Sequence, residues 1–381
     1  MVKLLHFADV HLGQTNFGYL DPATGLNSRI LDFLEAMDCV AEAAEAYKPD
    51  LILFAGDAFR TRTPTPSLVT HFAERIQRMA DLCPVLCVVG NHDRQKGGSG
   101  KRHSIDILAS LHSTYEIIVC DSIQILQTDK ACVVTLPWLY ASEVSLEEIC
   151  SQLDRAVEKA SKDKPLILLG HCEVEGAVYN EMYSAQGTLG GKSIVYPLSF
   201  FEEGWDYVAL GHVHKHQFLR KNPPVVYAGS IERVTWGERG ERKVFLTAEV
   251  DVGHAEVHVH DTYARSMVQI DLPYNKNFQK LLRDYPVEDC IVRVNVTTEK
   301  PVGRALITGQ VESSLQGYYL LDRIDITDLS VTERTPFQGQ RFEGKGVFEM
   351  LEMYLREKYP DDDRYVDTCL EMAHKMIGEK E

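Results

Sequence analysis

No run in this 381-residue chain is apolar for long enough to span a bilayer, which excludes a membrane-crossing helix. Only Met1 and Val2 precede Lys3 in the first apolar run, so a secretory leader has no room and none is expected. Positive charge is scarce as well. Forty Lys and Arg stand against 56 Asp and Glu, a formal net charge of −16, which excludes a generic nucleic-acid coat. Any polyanion would have to be held by local basic loops, by metal ions or by a second subunit. Cys-x-x-Cys pairs are missing, and the nine cysteines are an odd number, so they read as reduced thiols of a cytoplasmic protein. Internal repeats and low-complexity segments are absent. With 44% hydrophobic and 25% charged residues, what remains is an ordinary globular chain with core enough for two or three domains.

What is present is a repeated strand ending. The apolar run Pro84 to Val89 stops at Gly90 and delivers Asn91, His92 and Asp93. Leu4 to Ala8, apolar apart from His6, leads to Asp9-Val10-His11. Leu51 to Ala55 leads to Gly56-Asp57, Leu166 to Leu169 to Gly170-His171, and Tyr207 to Leu210 to Gly211-His212-Val213-His214. A single Gly-His after a strand is usually a turn. Five such endings instead place Asp, Asn and His on the carboxyl edge of a sheet, where open α/β folds carry their sites. Asp9/His11 and His212/His214 are spaced by two, so in extended chain each pair faces one side and can serve one metal site.

Taken in order, a Gly-, Asn-, Thr- and Asp-rich loop from Leu12 to Leu26 precedes a helix capped by Asn27 or Ser28 and running to about Tyr47. Arg60 and Arg62 follow Asp57, and Thr65 with Pro66 starts a helix to about Asp81. A second basic loop holds Arg94, Lys96, Lys101 and Arg102. Two readings of these loops stand open, solvated charge and contact with phosphate. The helices Pro66 to Asp81 and Ser104 to Leu111 carry Leu68, Phe72, Ile107 and Leu108, either as core or as a dimer surface. Short strands fill Ile117 to Leu136, and a helix spans Ser145 to Ala160. Beyond His214, Val225 to Ala228, Lys243 to Val250 and Ala255 to His260 alternate as a second sheet closing the domain.

Around Thr262 to Met267 the character changes. Strands at Met267–Leu272, Cys290–Val296 and Leu320–Ile326, with helices at Asn277–Tyr285 and Val302–Leu315, make a small β-α-β-α-β domain. The expected division is 1–264, 265–329, a polar linker 330–345 and a helical segment 346–381. Val347, Phe348, Leu351, Tyr354 and Leu355 form one stripe of that segment, and Val366, Leu370, Ala373 and Ile377 a weaker one. Such a tethered amphipathic pair either packs on itself or engages a partner.

In this order, Asp-x-His, Gly-Asp, Gly-Asn-His-Asp, Gly-His and Gly-His-x-His resemble the calcineurin-like metallophosphoesterases. The lesser runs Ala8–Gly13, Leu136-Pro137-Trp138 and Tyr227-Ala228-Gly229-Ser230 followed by Glu238 narrow the resemblance to the SbcD-type nucleases. It implies a two-sheet α/β sandwich flanked by helices, with a small α+β DNA-binding capping domain and a C-terminal two-helix tail. It implies two divalent ions, Mn2+ ahead of Mg2+ because imidazole, amide and carboxylate donors are mixed. Asp9, His11, Asp57 and His214 would hold one ion, and Asp57, Asn91, His171 and His212 the other. His92 would stabilise the transition state or protonate the leaving oxygen, with Asp93 orienting it. A His that archaeal relatives carry three residues after the bridging Asp is here Arg60, a phosphate contact in this reading.

The activity implied is an Mn2+-dependent double-strand exonuclease and single-strand or hairpin endonuclease. It would work as a homodimer with an SbcC-type coiled-coil ATPase, in a heterotetramer that processes DNA breaks. The alternatives are a stand-alone phosphoesterase for a small nucleotide or phosphoprotein, and a non-enzymatic DNA-end tether. Neither accounts for the full ligand set together with the cap and tail. His6, His103, His216 and His258 read as structural or surface residues, and Cys172 beside His171 as an inert buried thiol.

Overall fold

A computed structural model of the chain describes residues 1–95, 102–179, 194–329, 347–358 and 363–377. The chain divides into two compact units, residues 1–297 with 302–327, and residues 298–301 with 328–381.

The first strand sets the layers. In β1 (Val2–Phe7) every residue but Lys3 is buried, with Leu4 on one face and Leu5 and Phe7 on the other, each face in a different core. A strand covered on both sides reads as a continuous apolar run, as it does here. The helix α1 (Ser28–Tyr47) begins where the Asn27 side chain accepts from the Arg29 amide and ends at Lys48 in the left-handed region. Next come β2 (Leu51–Phe54), α2 (Pro66–Ala80) capped by Thr65, and β3 (Val85–Val88). Three short strands follow, β4 (Ile117–Cys120), β5 (Gln124–Gln127) and β6 (Cys132–Leu136). The Ser145 side chain caps α3 (Leu146–Lys159), which leads to β7 (Leu166–His171). A small ribbon pairs β8 (Glu173–Val174) with β9 (Val195–Tyr196). The remaining strands are β10 (Tyr207–Gly211), β11 (Gln217–Lys221), β12 (Pro224–Tyr227), β13 (Val244–Asp251) and β14 (His254–Asp261).

Two six-stranded sheets result, in the orders β14-β13-β1-β2-β3-β4 and β11-β12-β10-β7-β6-β5. Their inner faces share one apolar layer, in which Leu4, Leu53 and Val88 meet Ile167, Leu169 and Ala209. Phe33 and Met37 of α1 and Phe72 and Ile76 of α2 cover the outside of the first sheet, and Ile149 and Leu153 of α3 cover the second. Burying each such side chain is worth roughly 1.5–3 kcal/mol, so these three layers rather than helix propensity hold the strands in register. The fold is the expected helix-flanked two-sheet sandwich.

The structure corrects two sequence-based readings. The strands β13 and β14 do not close a second sheet; β13 pairs antiparallel with β1, Leu4 opposite Ala248, and so extends the first. The helix expected over Ser104–Leu111 is a 3-10 helix of five residues, Asp106–Ser110. Of the residues read either as core or as a dimer surface, Phe72 and Leu108 are core, Leu68 is half-buried and Ile107 is exposed.

The same unit carries a three-stranded sheet in the order β15 (Met267–Pro273), β16 (Ile291–Thr298) and β17 (Leu320–Asp328), with helices α4 (Phe278–Arg283) and α5 (Arg304–Ser314). Arg265 leads into it. Its guanidinium reaches Asp32 Oδ1 at 2.6 Å and Asp289 Oδ1 at 2.5 Å and lies 3.6 Å from the Tyr319 ring centre.

In the second unit, α6 (Val347–Lys358) and α7 (Asp363–Ile377) pack against each other. Leu355 and Val366 are buried and Tyr354 is exposed, while Phe348, Leu351, Leu370 and Ala373 are half-buried. The side chains of Val347 and Ile377, the linker 330–345, Lys96 and Lys101 lie outside the described residues. Among the described residues no helix is long and apolar enough to cross a membrane.

Candidate metal centre

The parallel strands β1, β2 and β3 of one sheet and β7 and β10 of the other bring their carboxyl ends together. Asp9 and His11 leave β1, Asp57 leaves β2, Asn91 and His92 leave β3, His171 ends β7, and His212 and His214 leave β10. Amides stitch the endings to one another: Asp9 N–H donates to the Gly56 carbonyl at 3.0 Å and His11 N–H to the Asp57 carbonyl at 3.1 Å. The turns are sharp enough that Asp9, His11, Asp57 and His212 all sit at positive φ, 51°, 49°, 59° and 102°. For non-glycine residues this costs on the order of 1–3 kcal/mol each, and such strain concentrates at functional sites. Gly90 is required for a different reason, since a Cβ there would lie 2.2 Å from Asp57 Oδ1.

The donors converge without a counter-charge. His11 Nε2 faces His214 Nε2 at 2.9 Å, and Asn91 Oδ1 lies 2.9 Å from His171 Nε2 and 3.0 Å from His212 Nδ1. Asp57 spans the two groups, with Oδ2 3.6 Å from His11 Nε2 and Oδ1 3.6 Å from His171 Nε2. Both Asp9 oxygens accept from the His212 amide at 3.0 Å. Three clusters could each hold an ion, Asp9/His11/His214, His11/Asp57/His92 and Asp9/Asp57/His171. Among the described residues no Lys or Arg pairs with Asp9 or Asp57. Buried carboxylates and imidazole lone pairs that point at one another and not at a cationic side chain fit divalent ions of the borderline class.

The electrostatics agree. Burial, with neighbouring imidazoles, holds His11 and His212 well below the ordinary histidine range, so both are neutral donors. Burial pushes Asp9 up to about 6 and Asp93 up to about 7, and the Asp57 charge adds to both. For His214 burial acts downward, but Glu238 outweighs it and the imidazole is raised.

Outer contacts fix the rings. His171 Nδ1 pairs with the Ala55 carbonyl at 2.7 Å and His214 Nδ1 with Glu238 Oε1 at 3.0 Å. His92 lies with its ring centre 4.8 Å from that of His11, its amide donating to Asp57 Oδ1 at 2.8 Å. Its Nδ1 pairs with the Arg60 carbonyl at 2.9 Å, which leaves Nε2 for another group. Asp93 does not orient His92. Its oxygens accept from the amides of Asp57 (2.8 Å), Ala58 (3.0 Å) and Gly90 (3.0 Å), shaping the turn that carries Asp57.

The basic residues separate. Arg60 and Arg102 are exposed. Arg62 is half-buried and donates to the carbonyls of Arg94 (2.8 Å) and Asn91 (3.1 Å), bracing the ligand loop. Arg94 is buried against the Trp138 carbonyl and pairs with Glu143 at 2.5 Å, which removes it from the phosphate contacts. His6 and His103 are core, and Cys172 is buried with its thiol pushed up by burial. Sequence reasoning assigned no role to Glu238 or to Trp138, whose ring lies 4.8 Å from that of His212. The signals were the Tyr227–Ser230…Glu238 and Leu136–Trp138 runs.

Residues 2–216 match the family model for the calcineurin-like phosphoesterases. The chain is similar to the SbcD component of the SbcCD nuclease of Escherichia coli strain K12, 26% identical over 269 residues, which cover 64% of this chain and 63% of that protein. It is similar also to the protein of that name from Staphylococcus epidermidis, 27% identical over 270 residues, 66% of each. The matches thus span less than two thirds of these relatives' length. Phosphopantetheinyl hydrolase of Mycobacterium tuberculosis superposes with a TM-score of 0.32 at 12% identity over 60% of this chain and 89% of that one, too low a likeness to bear on the site.

Proposed function

The chain belongs to the calcineurin-like phosphoesterase family, and on that premise we propose that it is an Mn2+-dependent DNA nuclease of the SbcD type. It would cut duplex ends and single-stranded or hairpin DNA in the cytoplasm, as a dimer working with an SbcC-type ATPase. The observation that carries the proposal is Asp57, one carboxylate whose two oxygens each lie 3.6 Å from a histidine of a different donor group. Similarity to the SbcD components of two SbcCD nucleases supports the choice of a nucleic acid over other phosphodiesters.

In this reading Asp9, His11, Asp57 and His214 hold one ion and Asp57, Asn91, His171 and His212 the other. When bound, two such ions would supply Lewis-acid polarisation of a phosphodiester and a lowered pKa for a coordinated water. The chain's own residues do the rest. Asp93 and Gly90 fix the Asp57 turn, and the carbonyls of Ala55 and Arg60 with the Glu238 carboxylate fix three imidazoles. A histidine whose Nδ1–H is tied to a carbonyl presents Nε2 as a lone pair; His92 would first take up a proton from solvent there, and as the imidazolium would hand that proton to the departing oxygen, returning to the neutral ring. Arg60, exposed beside it, would meet a flanking phosphate. Residues 265–329 would guide the DNA, and the helices α6 and α7 would dock on the ATPase.

Labelled duplex, hairpin and mononucleotide diester substrates, each with Mn2+ and with Mg2+, test the proposal. Cleavage of the DNA substrates that is stronger with Mn2+ is expected; turnover of the mononucleotide diester alone would refute a nuclease.

A further inference from the structure

The 3-10 turn Trp236–Glu238 has one end in the metal centre and the other against the three-stranded sheet. At the inner end the fully buried Glu238 carboxylate pairs with His214 Nδ1 at 3.0 Å and with Lys243 Nζ at 2.6 Å. The Val234 amide donates to it at 3.0 Å, the Thr235 hydroxyl at 3.1 Å and the Ser230 hydroxyl at 3.3 Å, so five groups hold the carboxylate. At the outer end the Trp236 ring centre lies 4.0 Å from the Arg293 guanidinium of β16, and Nε1 donates to Gln269 of β15 at 3.4 Å. Asp322 of β17 holds Arg293 at 2.6 Å, and Met267 and Ile291 pack against the indole. Only Gly237 separates the two ends.

We propose that Glu238 is the positioning residue of His214, and that the Arg293–Trp236 clasp sets where Glu238 stands. The seating of the three-stranded sheet on this turn then tunes the affinity for the ion that His214 would hold. The inference rests on the metal-centre reading above. A histidine that gives Nδ1–H to a carboxylate is locked in one tautomer and made a stronger donor at Nε2, and His214 Nε2 is the atom that faces His11. A displacement of Trp236 reaches that atom through one glycine and one fully bonded carboxylate. Lys243 anchors the other face of Glu238, since its Nζ also donates to Ser230 Oγ at 2.8 Å and to the His214 carbonyl at 3.2 Å.

The test is Mn2+ alone titrated into the full chain, with free Mn2+ counted by electron paramagnetic resonance, for wild type, Glu238→Gln, Arg293→Met and the double variant. Glu238→Gln is expected to weaken one ion by about 10–100-fold and leave the other within about twofold. Arg293→Met is expected to weaken that same ion by about three- to tenfold through loss of the cation–π contact. The double variant should be no weaker than Glu238→Gln alone, because both act through one imidazole. Wild-type affinities in Glu238→Gln would overturn the positioning role. Wild-type affinities in Arg293→Met, or losses that multiply in the double variant, would overturn the clasp. Where metal-free melting shows Arg293→Met to be misfolded, Arg293→Lys, which keeps the charge but not the planar stack, replaces it under the same criteria. A chain that binds both ions and cleaves no DNA would sink the nuclease reading and leave this one standing. A wild type that binds fewer than two would overturn both.

Discussion

Replacing Asp57 by Asn should move metal-free and metal-bound stability in opposite directions. Its ligand oxygen and that of Asp9 lie within 4.8 Å of each other in a buried cluster. Two charges at that separation repel by about 3.5 kcal/mol at an effective dielectric of about 20. The Asp57 charge also helps hold Asp9 and Asp93 above the usual carboxylate range. Asn keeps an oxygen for the His92 amide, which donates to Oδ1 in the native site. Removing the charge also forfeits its attraction for the His92 imidazole, so the net gain is smaller than the repulsion. The metal-free variant should melt at or above wild type, by up to ~4 °C in a chain of this size. With Mn2+ the order reverses. Each ion at a hundredfold over its Kd adds about 2.7 kcal/mol to the wild type, and an amide, offering one good donor, cannot serve both. Scanning fluorimetry in chelator and in saturating Mn2+ reads both numbers. A variant that melts well below wild type in chelator yet gains the full Mn2+ increment would refute the reasoning.

Three further outcomes are expected. His92→Leu should retain both ions by calorimetry but lose about 10²–10⁴-fold in DNA cleavage, since in the proposed mechanism its imidazole acts on the departing oxygen; cleavage near wild type removes it from the mechanism. Gly211→Ala puts a Cβ 2.1 Å from the Ala55 carbonyl, the group that holds His171. It should cost about 3 kcal/mol or more, the upper end for overpacking, and weaken Mn2+ binding, so unchanged thermal and metal titrations would contradict the described approach of the two sheets. Deleting residues 340–381 should leave Mn2+ nuclease activity on short DNA largely intact and abolish co-elution with the SbcC-type ATPase; persistent co-elution places the docking surface elsewhere.

Local chemistry made much of this legible in sequence. Thr65 caps the helix it was expected to cap, and of Asn27 and Ser28 it is Asn27 that caps α1, because a short polar side chain before an apolar stripe serves a backbone amide wherever the helix packs. The nine polar residues at the five strand ends do come together, since parallel strands share one carboxyl edge. What failed was non-local. Alternation in Lys243–Val250 marks a strand but not its neighbour, and β13 joined β1 across more than two hundred residues. Arg94 reads as surface charge until Glu143 and the Trp138 carbonyl close over it. Asp93 reads as the carboxylate that orients His92, whereas its side chain points back at the amides of Asp57 and Ala58. The positive φ of Asp9, His11, Asp57 and His212 leaves no compositional trace at all.

The central claim is that one carboxylate, Asp57, serves two metal ions. An anomalous-difference map from crystals grown with Mn2+ tests it most directly. The account predicts two peaks flanking Asp57, one contacted by Asp9, His11 and His214 and the other by Asn91, His171 and His212. A single peak, or two peaks neither of which touches Asp57, would contradict it.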